Sequence, residues 1–197
     1  MKELFVGTSN LHKIEEIEDI FKRNNIDVKI LSPKDFNDNS NIIEDGFSFA
    51  ENAEIKAKFY YDKYHKACLA EDSGICIEYL NNEPGIHSAR FMPDLDVYQT
   101  NEYVLKLMKD VKNRKASFHA VICYIDDSGH LHFFEGINYG EISYEQKGSL
   151  GFGYDPIFYI PSLGKTEAEL GKDYKDIYGH RAKAFKKFIE YLKNEKK

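Results

Sequence analysis

The chain has 197 residues, which is enough for one domain with a sizeable hydrophobic core. Apolar residues make up 42% of the sequence and charged residues 30%, which is ordinary for a globular protein and excludes an intrinsically disordered one. The net charge of −6 argues against a protein that coats nucleic acid, because phosphate backbones require a basic surface. A nucleotide pocket is still compatible with this charge, since a few lysines and a metal ion can reverse it locally.

Cysteine usage and hydropathy predict a cytoplasmic protein without a membrane anchor. Cys68, Cys76 and Cys123 lack CxxC spacing and lie at hydrophobic positions, which indicates free thiols in a reducing compartment. The sequence contains no run of about 18 apolar residues, so we expect no membrane span. The amino terminus passes directly into a strand pattern, which leaves no room for a signal peptide.

The first part of the chain opens with a strand, a helix and a second strand, which is typical of an α/β fold. Leu4–Val6 is a short apolar run ended by Gly7, which suits a buried strand. After Asn10 the apolar residues recur at helical spacing, with charged residues on the opposite face. The predicted elements up to residue 79 are a strand at 4–6, a helix from 10, a strand at 27–31, a loop at 32–45, a helix at about 47–64, a strand at 67–70 and an extended segment at 75–79.

The second part of the chain predicts more of the sheet and a closing helix. Two segments rich in β-branched and aromatic residues flank Asp127-Ser128-Gly129, which predicts a β-hairpin. The predicted elements are a helix at about 97–112, strands at 118–125 and 130–139, a last strand at 156–160 and a helix after residue 181. We therefore predict a single α/β domain over residues 1–197.

Two groups of polar residues are candidates for binding phosphate. Small polar side chains and one lysine lie at the start of the first helix: Thr8, Ser9, Asn10 and Lys13. Helix starts are capped by such side chains, and their exposed N–H groups bind anions. On the second helix, Asn52 and Lys56 follow Ser48 at intervals of four and so project along one side. A plain helix cap and a solvated helix face explain the two patterns equally well.

An acidic pair, Glu71-Asp72, follows the buried strand at 67–70. Ligands of α/β folds gather at the carboxyl ends of strands. Two adjacent carboxylates repel each other unless a cation lies between them or one points away. Mg²⁺ is commonly held by one or two carboxylates together with substrate phosphates. The pair therefore predicts a metal site, although a turn with capping acids is an equally good local interpretation.

Two further segments are candidates for recognising a planar ligand. In Gly151-Phe152-Gly153-Tyr154-Asp155-Pro156 the glycines leave the Phe152 ring accessible and permit unusual backbone angles. Lys175 and His180-Arg181 form a donor-rich cluster before the last helix. A turn before an edge strand and a solvated basic surface are the alternative interpretations of these two segments.

Taken together, five segments resemble the inosine triphosphate pyrophosphatase family, and they occur in family order along the whole chain. They are TSNLHK (8–13), EDGFSFAENAEIKAK (44–58), LAEDSGICIEYLNNEPGIHSARF (69–91), GFGYDPIF (151–158) and GHRAKA (179–184). The resemblance implies hydrolysis of ITP, dITP and XTP to the nucleoside monophosphate and pyrophosphate, with Mg²⁺, or Mn²⁺, as cofactor. It also implies an elongated mixed central sheet flanked by helices in two lobes, and a homodimer.

The resemblance assigns a role to each candidate residue. The residues that would hold the triphosphate are Thr8, Ser9, Asn10, Lys13, Asn52 and Lys56. Asp72 would be the general base and a metal ligand, with Glu71 as a nearby metal ligand and Ser73 touching the substrate. One wall of the base pocket would consist of Phe152, Gly153, Tyr154 and Asp155. Lys175, His180 and Arg181 would close that pocket and read the edge of the base.

The chain departs from the family pattern at two positions. Ile43 occupies the place of an acidic metal ligand, and Glu44 is its substitute by a shift of one residue. Gly179 replaces the serine that usually precedes the His-Arg pair. Two other functions stay open from the residues alone: an enzyme that cleaves modified pyrimidine triphosphates, and a module that binds nucleotides without cleaving them.

Overall fold

The computed structural model describes residues 3–195, and its contacts divide the chain into two compact units. The first unit consists of the described residues within Met1–Asp72, Ala120–Gly136 and Arg181–Lys197. The second unit consists of Ser73–His119 and Ile137–His180. The chain first leaves the first unit after Asp72 and finally returns to it after His180, so both boundaries fall within the predicted functional segments.

The described residues form a mixed α/β fold, as predicted. The strands are β1 (Glu3–Val6), β2 (Lys29–Leu31), β3 (Cys68–Ile77), β4 (Lys115–Ile125), β5 (Leu131–Ile142), β6 (Phe158–Ile160) and β7 (Lys165–Thr166). They form one sheet in the order β2-β1-β3-β4-β5-β6-β7. β1 pairs in parallel with β2 and β3, whereas β6 pairs antiparallel with β5 and β7. The α-helices are α1 (Leu11–Arg23), α2 (Phe49–Tyr64), α3 (Val97–Leu107), α4 (Glu167–Leu170), α5 (Lys172–Tyr178) and α6 (His180–Asn194).

Alternation along β1 divides the core of the first unit into two hydrophobic clusters. Leu4 and Val6 pack in one cluster with α1 and α6, and Phe5 between them packs in the other cluster with α2. Successive side chains of a strand point to opposite faces of a sheet, so each face requires its own helical cover. The helical residues of the first cluster are Ile17, Ile20, Phe21, Ala182, Ala184, Phe185, Phe188 and Ile189.

Small residues bring α2 close to the sheet. Ala53 and Ala57 are fully buried in the cluster with Phe5. Gly7 leaves room for Tyr60, because a Cβ added at Gly7 would lie 2.6 Å from Tyr60 Cδ2. This close approach lets the polar side chains of α2 reach the part of β3 where the acidic pair lies.

Arg114 joins the end of α3 to the end of β5 in the second unit. Its buried guanidinium donates hydrogen bonds to the carbonyls of Met108 and Ile142 at 2.6 Å each, and of Ser143 at 2.5 Å. It also lies 4.2 Å from the centroid of the Tyr144 ring. The last carbonyls of a helix have no partner within the helix, so a side-chain donor at Met108 favours the end of α3 there.

β3 is longer than predicted, which changes the place of the acidic pair. The prediction ended this strand at Ala70 and put Glu71-Asp72 at its carboxyl end, but β3 continues to Ile77 and the pair lies in its middle. Gly74 allows the strand to continue past a neighbouring segment, because a Cβ added there would lie 2.4 Å from Ser88 Oγ. The prediction of the strand end was therefore wrong.

Other elements also differ from the prediction. α3 ends at Leu107 rather than at about 112, and β7 follows the strand predicted to be the last. α4 and α5 were not predicted. Thr166 and Glu169 form a capping box at α4, since each side chain accepts the backbone N–H of the other. Gly171, with φ of 73°, then separates α4 from α5.

The three cysteines of the chain carry free thiols. Burial raises the pKa of Cys68 and of Cys123 to about 12, and that of Cys76 to about 11.

Within residues 3–195, no helix is both long enough and apolar enough to cross a bilayer.

Candidate functional site

The loop after β1 presents a capped helix start. Asn10 Oδ1 accepts the N–H groups of His12 at 3.0 Å and Lys13 at 3.3 Å, and Thr8 Oγ1 accepts the N–H of Asn10 at 3.2 Å. Ser9 and Asn10 are exposed. An exposed helix start carries partial positive charge and backbone donors, so it suits a phosphate group.

Glu71 lies in a buried network of charged side chains in the first unit. Arg181 Nε and Nη2 donate to the two carboxylate oxygens of Glu71 at 2.7 and 2.9 Å. Arg181 Nη1 donates to Glu16, and Lys13 Nζ lies 3.7 Å from Glu71. A buried charge is costly unless it is paired and hydrogen-bonded, and this network provides both for Glu71 and Arg181.

Asp72 lies in a second charged group, with residues of α2. Lys56 Nζ donates to Asp72 Oδ1 at 2.8 Å, and Asn52 Nδ2 donates to Asp72 Oδ2 at 3.3 Å. Lys56 Nζ also donates to Glu44 Oε2 at 2.8 Å. One ammonium group therefore bridges the carboxylates of Asp72 and Glu44.

Strand alternation explains why the adjacent residues Glu71 and Asp72 have different partners. Ala70 packs in the cluster that contains α2, and Leu69 packs in the cluster that contains α1 and α6. Because side chains of a strand alternate, Asp72 shares the α2 face with Ala70, and Glu71 shares the opposite face with Leu69. The two carboxylates are thereby relieved of much of their mutual repulsion.

The pKa directions distinguish the two carboxylates that contact Lys56. Burial raises the pKa of Asp72 above its ordinary value, by more than the Lys56 ammonium lowers it. Burial would also raise the pKa of Glu44, but Lys56 and its other neighbours lower it below the ordinary value. Although burial alone would lower the pKa of Lys56, Asp72 and Glu44 raise it, so Lys56 stays protonated. The surroundings therefore shift the basicity of the two carboxylates in opposite directions, upward for Asp72 and downward for Glu44.

The carboxylates of Glu44 and Asp72 suit a divalent cation. Within residues 3–195, no three His, Cys, Asp or Glu side chains come together in a metal-binding arrangement. Mg²⁺ does not require three, because it usually takes one or two carboxylates and fills its other positions with water and substrate phosphates. Two carboxylates that already share one cationic partner match this donor chemistry.

In the second unit, Lys175 lies at the face of the Phe152 ring. Its Nζ is 4.5 Å from the ring centroid and donates to Asp155 Oδ2 at 2.7 Å. The same carboxylate oxygen accepts the N–H of Phe152 at 2.9 Å. Gly151, with φ of 83°, is required here, because an added Cβ would lie 2.1 Å from Asp155 Oδ2. Three of the predicted base-pocket residues are thus held in one arrangement.

Two neighbouring candidates of the second unit, Tyr154 and Gly153, are also held by hydrogen bonds. Tyr154 OH donates to the carbonyl of Ser88 at 2.8 Å, and Asn101 Nδ2 donates to the carbonyl of Gly153 at 3.1 Å. Asn101 is 1% exposed. It fixes the glycine on one side of Phe152, although it was not among the predicted residues.

His180 is the last residue of the second unit and is buried. Its ring stacks on Phe118, with centroids 4.8 Å apart and planes 18° apart. Ser73, the first residue of this unit, is partly buried. The predicted residues are thus divided by unit, with the phosphate and metal candidates and Arg181 in the first, and Ser73, the 152–155 wall, Lys175 and His180 in the second.

Glu16 was also absent from the predicted set. It lies on α1 three residues after Lys13, which is the spacing of neighbours on one helix face. Its partner Arg181 is 165 residues away in the sequence, so the pairing has no local signal. The buried polar position of Asn101 on α3 likewise becomes visible only when the helix is packed.

Comparisons with known proteins identify the family. The model of the Ham1 family matches residues 4–191. This chain belongs to the Ham1 family. Among its relatives, a dITP/XTP pyrophosphatase of Leptospira interrogans is 40% identical over 199 residues, which cover 98% of each protein. A dITP/XTP pyrophosphatase of Halalkalibacterium halodurans is 40% identical over 195 residues, covering 98% of this chain and 100% of the relative.

Solved structures of Ham1 proteins have the same fold. The Staphylococcus aureus Ham1 protein superposes with a TM-score of 0.88 at 33% identity, and covers 98% of this chain and 100% of its own. A HAM1 protein from Coxiella burnetii gives a TM-score of 0.89 at 33% identity with the same coverage. The family and the fold predicted from the five motifs are therefore confirmed.

The two departures of this Ham1 chain have physical explanations in its structure. Ile43 is 74% exposed, whereas the next residue, Glu44, contacts Lys56. Glu44 therefore places a carboxylate beside the Lys56 ammonium that also contacts Asp72. A Cβ added at Gly179 would lie 2.6 Å from the carbonyl oxygen of Lys175, so a serine there requires a shift at the end of α5.

Replacing Arg181 by Met in this Ham1 protein should strongly destabilise it. Glu71 would stay buried without its guanidinium partner, and such a loss costs about 3–5 kcal/mol of unfolding free energy. Urea unfolding measures this loss. In the double variant Arg181→Met/Glu71→Gln the uncompensated charge at residue 71 is absent, so part of the stability should return. Equal stability of the single and double variants would contradict the assigned pairing.

Proposed function

We propose that this chain hydrolyses the non-standard purine nucleoside triphosphates ITP, dITP and XTP to the nucleoside monophosphate and pyrophosphate. The observation that carries the proposal is the buried carboxylate of Asp72, held by Lys56 and Asn52 beside Glu44. Two carboxylates, one of which is the proposed base, and two lysines in one unit are the groups that phosphate hydrolysis requires. The names of the two relatives, dITP/XTP pyrophosphatases, support the same activity.

Asp72 is proposed as the general base. It accepts a proton from a water molecule, which attacks the α-phosphorus in line with the leaving pyrophosphate. Burial raises the pKa of Asp72, and a higher pKa makes a carboxylate a more effective base near neutral pH. Lys13 and Lys56 stabilise the negative charge that grows on the leaving group. No covalent intermediate is needed.

The triphosphate is assigned to residues of the first unit. The exposed start of α1, with Thr8, Ser9 and Asn10, supplies N–H and hydroxyl donors to phosphate oxygens. Lys13 and Asn52 complete this set. Lys13 lies near Glu71 and Lys56 near Asp72, so both ammonium groups are held in place by carboxylates before any phosphate binds.

Glu44 and Asp72 are proposed to hold Mg²⁺, or Mn²⁺ in its place. When bound, the ion neutralises charge on the phosphate oxygens, which would otherwise repel the base and the nucleophile. Glu71 was predicted as a further metal ligand. It lies on the face of β3 opposite to Asp72, in a two-fold hydrogen-bonded ion pair with Arg181, and we therefore propose that Glu71 orients Arg181 and Lys13.

The purine base is assigned to the second unit. Phe152 stacks on the ring, and Lys175 and His180 donate to its edge, with Ser73 touching the substrate. Hypoxanthine and xanthine present a 6-keto acceptor to such donors, whereas adenine presents a 6-amino donor. A site built to bond one group rejects its absence by about 10⁴–10⁵-fold. Arg181 was predicted to join these donors, but its bonds to Glu71 and Glu16 favour a supporting role.

We also propose a homodimer, which rests on the family resemblance. A location in the cytoplasm is proposed from the free thiols. Sedimentation equilibrium tests the dimer, because one chain has a mass of 22.9 kDa. A mass of twice that value is the expected result, and the mass of a single chain would contradict it.

The first test of the activity is pyrophosphate release from ITP, XTP, GTP, ATP and dUTP with Mg²⁺. We expect rapid turnover of ITP and XTP and weak turnover of the other three. Adenine presents a 6-amino donor to the proposed donors, and uracil is too small to reach from Phe152 to Lys175. Guanine keeps the 6-keto acceptor, so weak turnover of GTP requires that the pocket excludes its 2-amino group. Asp72→Asn should lower kcat by at least about 10²-fold, since it removes the base and keeps the size of the side chain. Rapid hydrolysis of dUTP or ATP, or an active Asp72→Asn variant, would overturn the proposal.

A second test separates the two candidate metal ligands. Glu44→Gln should raise the Mg²⁺ concentration for half-maximal turnover by about 10-fold or more, because it removes one charged ligand. Glu71→Gln should leave that concentration within about twofold of wild type and lower stability through Arg181 instead. If Glu71→Gln shifts the Mg²⁺ dependence and Glu44→Gln does not, the metal assignment is wrong.

A further inference from the structure

The segment from Asp38 to Phe47, called here the 38–47 segment, runs along α2 in the direction opposite to the helix. It contains no helix or strand of its own. Its first residue contacts the last turn of α2, and its last residues contact the first turn. The segment is therefore fastened to α2 at both ends and carries Glu44 between them.

The end of the segment near Asp72 is part of the proposed site. Glu44 Oε2 accepts a hydrogen bond from Lys56 Nζ at 2.8 Å. Two residues later, the N–H of Gly46 donates to Asn52 Oδ1 at 2.9 Å. Asn52 donates through Nδ2 to Asp72, so it joins the segment to the proposed base. The position of Glu44 relative to Asp72 thus depends on the path of the segment along α2.

The far end of the segment is fastened by the carboxylate of Asp38. Its Oδ2 accepts Tyr64 OH at 2.6 Å and lies 2.9 Å from Lys63 Nζ. Its Oδ1 accepts the backbone N–H and the hydroxyl of Ser40 at 2.9 and 2.6 Å. The Asp38 side chain is only 4% exposed, and the hydrogen bond from Lys63 holds its pKa well below the ordinary value. Asp38 is therefore a charged anchor, and these four contacts join it to Ser40 of the same segment and to the last turn of α2.

The residues between the two ends are mostly exposed, and Ser40 next to the Asp38 end accepts a hydrogen bond from Lys63 Nζ at 2.9 Å. Ile42 packs against the cluster that contains α2, but residues 39–41, 43 and 45 are exposed. A loop with little burial keeps much of its conformational freedom unless its ends are held. Holding the far end restricts that freedom and favours the one path that brings Glu44 to Lys56.

We propose that Asp38 is a positioning residue for Glu44, acting through the 38–47 segment to set the affinity of the active site for its divalent cation. This inference rests on the proposed function, because it takes Glu44 as a metal ligand. Asp38 itself contacts neither Lys56 nor Asp72 in the described hydrogen bonds and ion pairs, and it lies two helical turns along α2 from Lys56.

A matched control is available in the same unit. Asp126 also anchors a loop through one carboxylate, which accepts the N–H groups of Ser128 at 2.8 Å and His130 at 3.0 Å and contacts His132 at 3.0 Å. The loop that it holds is the hairpin turn between β4 and β5 and carries no candidate residue. Asp38→Ala and Asp126→Ala therefore remove the same chemistry from two loops, only one of which carries Glu44.

The experiment measures the Mg²⁺ dependence of ITP hydrolysis in wild type, Asp38→Ala, Tyr64→Phe and Asp126→Ala. Asp38→Ala should raise the Mg²⁺ concentration for half-maximal turnover by about 3- to 10-fold, below the roughly 10- to 100-fold typical of direct partners of a ligand. Tyr64→Phe, which removes only one donor, should shift this concentration in the same direction by a smaller factor. This variant tests the inference if Asp38→Ala does not fold. Asp126→Ala should leave it at the wild-type value.

A double-variant cycle shows whether Asp38 acts through Glu44. In the Glu44→Gln background, Asp38→Ala should cause no further shift, because the side chain that it positions no longer carries the charge. The affinity for Mn²⁺, measured by electron paramagnetic resonance with a non-hydrolysable ITP analogue bound, should follow the same pattern without relying on turnover. Full additivity of the two substitutions, or a shift in Asp126→Ala equal to that in Asp38→Ala, would overturn the inference.

The inference and the proposed function fail in different ways. A wild-type protein that cleaves no triphosphate would contradict the proposed function. Hydrogen exchange of residues 42–46 would then test the inference alone, since Asp38→Ala should speed exchange in this stretch and Asp126→Ala should not. Unchanged exchange in Asp38→Ala would contradict the positioning role.

Discussion

The side-chain alternation of β3 is the constraint on which the candidate site depends. Glu71 and Asp72 are neighbours in the sequence, and on one face their charges would repel strongly at short distance. Alternation places them on opposite faces, where Glu71 meets α1 and α6 and Asp72 meets α2. Each carboxylate thereby has its own set of cations, and one strand supplies two groups with different roles. We propose the role of the base for Asp72 and the role of an orienting partner for Glu71.

Burying these charges is tolerable only because each is paired at short range. Arg181 engages both oxygens of Glu71, and Lys56 bridges Asp72 and Glu44. The pairing in turn requires helices that approach the sheet closely, and α2 achieves this with alanines and with the space left by Gly7. Packing and electrostatics are therefore coupled in this unit, because a bulkier side chain under α2 would move Lys56 away from its partners as well as disturb the core.

The family and the fold were predictable from the sequence, but the pairings between distant side chains of the candidate site were not. Five motifs in order were enough for the family, and helical periodicity gave α1, α2 and α6. The end of β3 was misplaced, because an acidic pair followed by Gly74 also fits a turn and only the approach of Ser88 shows why the strand continues. The pairing of Arg181 with Glu71 and Glu16 had no local signal, because these partners lie 110 and 165 residues away in the sequence. The capping box at Thr166 was a local signal for α4 that was visible in the sequence.

The raised pKa values of the three thiols have a practical consequence for chemical labelling. Thiolates, not thiols, react with maleimides and disulfides. With pKa values of about 11 to 12, roughly one thiol in ten thousand or fewer is ionised at neutral pH. The natural cysteines are therefore slow to react while the protein is folded, and a single cysteine introduced on the surface becomes a selective attachment point for a spin label or fluorophore without removing any of them. Fast labelling of the unmodified chain would in turn report that the folded state has opened.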